Sequence, residues 1–263
     1  MTATGLRPTS RWGDERDVRF SLWRPGLWRF HMPQAGRVWA GVTDRAGSLE
    51  SLQAAAPWPH GIVTADQVHG VSIASVELST APIHPVAGCD ALVTQTLGLG
   101  LAVRTADCLP LFVWDPVQGV VGVAHAGWRG LAAALPRRLL SFLHQRYHTH
   151  PGDLWVGIGP SIRACCYDVG PAFDRRLAPW VQEESPASLK LRSGLSEARS
   201  AKEGGRRTCD LIACATAQLR EAGVAAHRVL DSGQCTACEP DRWWSLRREG
   251  EACGRLISCI GLT

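Results

Sequence analysis

Lysine is nearly missing from this chain: of 28 basic residues only Lys190 and Lys202 are lysine, and all the others are arginine. Against 24 acidic residues the formal net charge is +4 over 263 residues. So small a surplus, so unevenly split between two residue types, reads as a bias of composition and not as a surface built for nucleic acid. No uninterrupted apolar run reaches the roughly 18 residues that a membrane-spanning helix needs. The first residues, Met1-Thr2-Ala3-Thr4-Gly5-Leu6-Arg7-Pro8, lack the apolar core of a secretory signal. The expectation is a soluble, cytoplasmic protein with no membrane or nucleic-acid partner.

Other absences narrow the chemistry. Gly157-Ile158-Gly159-Pro160-Ser161 has neither the further glycine of a dinucleotide fingerprint nor the Gly-Lys pair of a phosphate-binding P-loop. A four-copper oxidase requires several His-x-His clusters, and the chain contains one, His148-Thr149-His150. There is no internal repeat and no low-complexity segment. The arginines near the start, Arg7 to Arg29, are interrupted by Asp14, Glu15 and Asp17 and interleaved with Trp12, Trp23 and Trp28, a composition suited to cation–π packing.

What is present is a 45% apolar composition, enough for one large domain, and ten cysteines. Without an export signal the cysteines are expected to be free thiols or metal ligands, not a disulfide framework. Short β-branched or apolar runs predict strands near Arg19–Trp23 and over Arg37–Thr43, Ile62–Ala65, Val71–Val76 and Leu154–Ile158, with closing strands over Arg228–Asp231 and Arg255–Ile260. Four further runs, Ala91–Thr94, Leu99–Arg104, Leu109–Trp114 and Val120–His125, read as consecutive strands of one buried sheet. Helical spacing covers Gly130–Tyr147, with a kink or a restart at Pro136 because proline has no N–H to donate. Helices are also predicted over Pro171–Val181 and over Cys209–Ala222, the latter stopped by Gly223. The polar stretch Glu183–Arg207 is predicted to be a flexible excursion.

The turn Asp115-Pro116-Val117-Gln118-Gly119 makes Leu109–Trp114 and Val120–His125 an antiparallel hairpin. Its two open ends are neighbours in space, so Cys108 and His125 meet at one edge. A third metal-competent side chain, His69, stands in a turn between two predicted strands. From the residues alone this set is either a Cys-His-His metal site with an open fourth position or a buried thiol with two satisfied histidines. Cys235-Thr236-Ala237-Cys238 is a CxxC and, with Cys165-Cys166, offers four thiols. Adjacent cysteines serve poorly as a ligand pair, so these read as buried thiols instead of a second, structural zinc site.

The segments Gln67-Val68-His69-Gly70, Thr105-Ala106-Asp107-Cys108-Leu109-Pro110, His125-Ala126-Gly127-Trp128-Arg129-Gly130, Gly157 to Ile162, Cys235-Thr236 with Trp244 to Arg248, and Gly254-Arg255 occur in this order. They resemble the laccase-domain proteins over roughly Asp66 to Leu262. That family was first described as multicopper polyphenol oxidases, and its members also as zinc-dependent purine nucleoside phosphorylases with adenosine deaminase activity and as peptidoglycan editing factors. Before Asp66 the likeness thins. Members usually carry a double-glycine turn and a Ser-Leu-Asn-Leu stretch where this chain has Thr43 to Glu50, so any substrate contact the family takes from that asparagine is missing here.

The resemblance implies an α+β fold: a single large domain of mixed, largely antiparallel sheets flanked by helices, like the cytotoxic necrotising factor and laccase-domain proteins. Residues 1–35 would be a partly ordered extension and 36–263 the catalytic domain. It implies zinc on His69, Cys108 and His125, with copper possible in the same position. Asp107 and Arg129 would be the catalytic side chains, the first for proton transfer or to orient a ligand, the second to clamp phosphate. Purine nucleosides and phosphate would be the substrates; the residues do not give the oligomeric state, for which a monomer is the expectation. Its alternatives are an amidase acting on a peptidoglycan precursor through the Cys/His pair, and copper-dependent polyphenol oxidation.

Overall fold

The apolar runs assemble into two six-stranded sheets packed face to face in the computed structural model, which describes residues 20–32, 37–78, 85–170, 173–184 and 206–263. In chain order the elements are β1 (Phe20–Arg24), β2 (Leu27–Phe30), β3 (Val38–Thr43), α1 (Leu49–Ala55), β4 (Ile62–Thr64), β5 (Ile73–Ser75), β6 (Ala91–Thr94), β7 (Gly100–Thr105), β8 (Leu109–Asp115) and β9 (Val120–Ala126). There follow α2 (Trp128–Ala132), α3 (Leu135–Tyr147), β10 (Trp155–Ile158), β11 (Val181–Glu184), β12 (Arg206–Cys209), α4 (Leu211–Glu221), β13 (Val229–Asp231), α5 (Leu246–Glu249) and β14 (Leu256–Leu262). The first sheet runs β1-β2-β3-β14-β7-β4 and the second β13-β10-β8-β9-β6-β5, while β11 and β12 form a separate pair. Pairs β4–β7, β5–β6 and β10–β13 are parallel and the others antiparallel, which is the mixed, largely antiparallel α+β architecture expected.

Side-chain alternation sorts the core into layers. On β8, Leu109, Leu111 and Val113 face α2, α3 and α4, while Phe112 and Trp114 face the other sheet. Phe30, Val42, Leu101, Val103 and Ile260 come from the opposite side of that interior. On the far face of the first sheet, Trp39, Trp58, Ala102 and Cys259 are covered by Leu52 of α1. Each fully buried Leu, Val or Phe contributes about 1.5–3 kcal/mol relative to exposure. No helix among the described residues is long and apolar enough to cross a membrane.

Three expectations are corrected. Leu99–Arg104 does not share a sheet with its sequence neighbours: β7 crosses to the first sheet and pairs with β14 and β4. Apart from the exposed Arg104, these runs are buried on both faces, so their hydrophobicity carries no signal of which sheet takes them. Of the helix expected over Pro171–Val181, residues 171 and 172 lie outside the described residues, and the rest holds instead one short 3-10 segment, Arg175–Trp180, capped by Asp174, interrupted by Pro179 and followed directly by β11. The polar stretch from Glu183 is not irregular at its ends, because Glu183 and Glu184 pair with Arg207 and Arg206 in β11–β12. Residues 185–205, between them, lie outside the described residues, as do 1–19 of the expected extension.

Elsewhere the local rules hold. Ala134 turns left-handed at φ 61° and α3 restarts at Leu135 with Pro136 in its first turn, where its missing N–H costs nothing. Helix α4 is capped by Asp210, whose carboxylate accepts from Ala213 N at 2.9 Å. The strand near Arg19 is β1, and Arg24 and Arg242 lie over Trp23 and Trp28 at 4.4 and 4.6 Å.

Candidate metal centre

Register brings Cys108 and His125 together. In the β8–β9 hairpin Leu109 faces Ala126 and Pro110 faces His125, so Cys108, one residue ahead of the strand, lies opposite Gly127 and diagonal to His125. His69 arrives from the loop between β4 and β5, where its backbone is left-handed at φ 60°. Its ring meets that of His125 edge to face, with centroids 4.7 Å apart. The ligand atoms of His69, Cys108 and His125 all lie within 4.8 Å of one another, graded from an exposed His69 to a buried His125.

The residue that organises this set is one the sequence reading passed over, Asp90. Its carboxylate is fully buried and accepts from four donors: Oδ1 from His69 N at 3.0 Å and from His125 Nδ1 at 2.8 Å, Oδ2 from Gly70 N at 2.6 Å and from Val68 N at 3.3 Å. One carboxylate thereby shapes the turn that carries the first histidine and fixes the ring of the second, leaving Nε2 of His125 for the cluster. The signal was a single Asp at the mouth of an apolar strand, which nothing in the sequence distinguishes from an ordinary turn residue. Gln67 completes the loop, its amide exchanging two hydrogen bonds with the backbone of Arg104 on β7 at 2.6 and 2.7 Å.

Burial would push the Cys108 thiol up, but hydrogen bonds and positive charge from His125 and His69 bring it down to about 7. For His125, burial would lower the ring's basicity; hydrogen bonds to Asp90 and Cys108, with the negative charge of both, push it up to about 9. Burial would likewise raise Asp90, yet the His125 ring and the amides of Gly70 and Val68 hold it below the usual carboxylate range. Without an ion the pair therefore favours a Cys108 thiolate beside a His125 imidazolium, and binding a metal there would displace the imidazolium proton.

Asp107 lies next in sequence but is turned elsewhere. With φ at 90°, it is buried, and its carboxylate accepts from Thr236 Oγ1 at 2.6 Å and from the first-turn amide of α5, Arg247 N, at 2.6 Å. Arg129 is exposed in the first turn of α2 over the Trp128 ring at 4.6 Å, with no acidic partner among the described residues. Arg248 is absorbed by structure, donating to the carbonyls of Thr236, Ala237 and Trp243 and to Glu249. Arg247 donates to Asp168 O at 2.9 Å and covers the Tyr167 ring at 5.1 Å. Tyr167, another residue the sequence reading did not single out, has its hydroxyl pushed up by burial and by the charge of Cys108.

Gly127 explains why the cluster is so close. A Cβ there would stand 3.0 Å from the Cys108 sulfur and 3.2 Å from Cδ2 of His69.

A profile of the family described as multi-copper polyphenol oxidoreductase laccase matches residues 44–263. Among curated relatives, a purine nucleoside phosphorylase, YlmD, of Geobacillus stearothermophilus is 35% identical over 205 residues, 76% of this chain and 71% of that protein. An adenosine deaminase, RL5, from an unknown prokaryotic organism is 32% identical over 173 residues, 66% of this chain and 60% of that protein. The crystal structure of YlmD from Geobacillus stearothermophilus superposes with a TM-score of 0.78 at 29% identity, covering 93% of this chain and 98% of that one.

Proposed function

The chain belongs to the multi-copper polyphenol oxidoreductase laccase family, and from that premise we propose that it is a zinc-dependent purine nucleoside phosphorylase, acting on adenosine, inosine and guanosine, that also deaminates adenosine. The observation that carries this reading is the convergence of His69, Cys108 and His125, with Asp90 behind two of them, in a chain 35% identical to a protein named a purine nucleoside phosphorylase. Two nitrogens and a sulfur are zinc donors, and three protein ligands leave the fourth tetrahedral position to substrate or water. Zinc at about 2.0–2.1 Å from nitrogen and 2.3 Å from sulfur spaces its ligand atoms roughly 3.3–3.8 Å apart. The cluster needs little closure to reach that. The buried Asp90 on His125 Nδ1 is the outer carboxylate that metal-ligating histidines characteristically use. When bound, the ion supplies Lewis acidity and brings the acidity of water toward neutrality.

The chain's own residues would then divide the work. In phosphorolysis a phosphate oxygen bonds to C1′ as the C1′–N9 bond breaks and the purine leaves; in deamination water adds at C6 and ammonia departs. Arg129, two residues beyond Gly127, is an exposed guanidinium with no acidic partner among the described residues, suited to hold phosphate through a bidentate fork. Asp107 acts by position: with both oxygens engaged, it ties the loop of Thr236 and the start of α5 to the strand that ends at the centre.

Incubating zinc-loaded protein with adenosine or inosine, with and without phosphate, tests the proposal. Phosphate-dependent release of adenine or hypoxanthine with ribose 1-phosphate is expected, and inosine from adenosine. Turnover of neither substrate would overturn it. Arg129→Ala is expected to lower kcat/KM about 10- to 100-fold, as loss of a charge-assisted hydrogen bond of about 1.5–3 kcal/mol implies. The change should fall mainly in the KM for phosphate, with the melting temperature unmoved because the side chain is exposed. Gly127→Ala is expected to push apart the Cys108 sulfur and the His69 ring and weaken zinc about 10- to 100-fold in a chelator competition. Its ordinary φ of −72° accommodates alanine, so folding should be preserved.

The line Asp90–His125–Cys108 also favours a second reading, in which Cys108 is a nucleophile and His125 its base, as a hydrolase of a cell-wall amide would need.

A further inference from the structure

Four cysteines outside that centre also meet. Cys165 and Cys166 lie in the turn after β10, Cys235 and Cys238 in the loop between β13 and α5. The sequence argued against them as a ligand set because two are adjacent, but a tight turn, with Cys166 N and Tyr167 N both donating to Arg163 O at 2.8 and 2.9 Å, brings both sulfurs to one side. Cys165 and Cys166 stand 3.5 and 3.4 Å from the Cys238 sulfur, and Cys165 stands 3.6 Å from that of Cys235. All four sulfurs lie within 4.8 Å of one another.

These separations exclude a disulfide, whose sulfurs are about 2.05 Å apart. Four sulfurs placed tetrahedrally at about 2.3 Å from one ion are roughly 3.8 Å apart, close to the spacing seen. An iron–sulfur cube is less suitable, since its cysteines bind separate irons and must stand further apart. Nor is this a set of thiols buried as small apolar groups: Cys165 and Cys238 are exposed. The backbone builds the cluster independently of any ion. Ser161 and Cys235 form a parallel bridge, Thr236 N donates to Ser161 O at 3.1 Å, and Arg163 forks onto Asp231 at 2.9 and 2.5 Å.

We propose that Cys165, Cys166, Cys235 and Cys238 form a second, structural site that binds one zinc ion. Four protein ligands close the coordination sphere, so this ion has no open position and takes no part in turnover. Its place in the fold gives it a task. Thr236, between two of the ligands, donates to Asp107, and Tyr167, next to a third, lies under Arg247, so the ion clamps the two loops that border the His69–Cys108–His125 centre.

Elemental analysis of the reduced, full-length protein is expected to find two zinc ions per chain, falling to one in the Cys235→Ser/Cys238→Ser double variant. In His69→Ala, which leaves all four cysteines intact, the remaining zinc should show a sulfur-only shell at about 2.3 Å by X-ray absorption. That arm decides the matter even where the serine variant does not fold, and it holds whether or not the nucleoside activity is found. Zinc content unchanged by the double substitution, nitrogen or oxygen in the shell of His69→Ala, iron in place of zinc, or disulfides among these four residues by mass spectrometry would overturn the proposal.

Discussion

Asp90→Ala is expected to unfold at markedly lower urea than the parent protein, by an amount equivalent to roughly 3–5 kcal/mol, the usual cost of removing one partner of a buried ion pair. The fully buried carboxylate accepts three backbone amides and the His125 ring, and alanine offers none of them an acceptor. The strand ladders are untouched, so the urea slope m should stay the same while the midpoint falls. The same substitution frees the His69 turn and the His125 ring, and zinc affinity at that centre should fall by at least about 10- to 100-fold. Asp90→Asn separates the two effects. It keeps the shape and one acceptor oxygen, but its amide group must face an N–H donor, so stability should lie between the others while zinc stays weak. An alanine variant with the parent's midpoint would show that Asp90 does not hold the loop.

His69→Ala and Cys108→Ala together decide between ligand and nucleophile. Under the zinc reading both remove a protein ligand, and both should lose one zinc equivalent and nearly all nucleoside turnover. Under the thiol reading only Cys108→Ala is fatal, because Asp90, His125 and Cys108 still line up when His69 is gone. The expected result is equal loss in the two variants, measured as kcat/KM alongside zinc content. Activity that survives His69→Ala and vanishes with Cys108→Ala would favour the amide-hydrolase reading.

Much of the centre was legible before any coordinates. The hairpin argument needs only a turn at Asp115–Gly119 and two apolar runs to bring Cys108 and His125 to one end, while the exact register, Pro110 opposite His125, came from the structure. Pro136 likewise announced a kink or a restart, and the restart is what the structure shows, because the effect of proline is local to one turn. Asp90 was invisible for the opposite reason: its four donors come from residues 68–70 and 125, and no local pattern marks a carboxylate that will be shared between separate segments. The meeting of the four cysteines was hidden on the same ground. Adjacency of Cys165 and Cys166 argues against a ligand pair, and the turn at Arg163, which brings both sulfurs beside Cys238, is not marked in the sequence.

By itself, then, the sequence determined most of the strands, the two longer helices and the meeting of Cys108 and His125 at the open end of one hairpin, since periodicity, turn residues and hairpin pairing act over a few residues. Only the tertiary structure decided that β7 leaves its neighbours to pair with β14, that Asp90 stands behind the histidines, and that two cysteine pairs share one corner. Those outcomes depend on contacts between distant segments whose buried faces are chemically alike, and the choice among such partners is made by packing the whole chain at once.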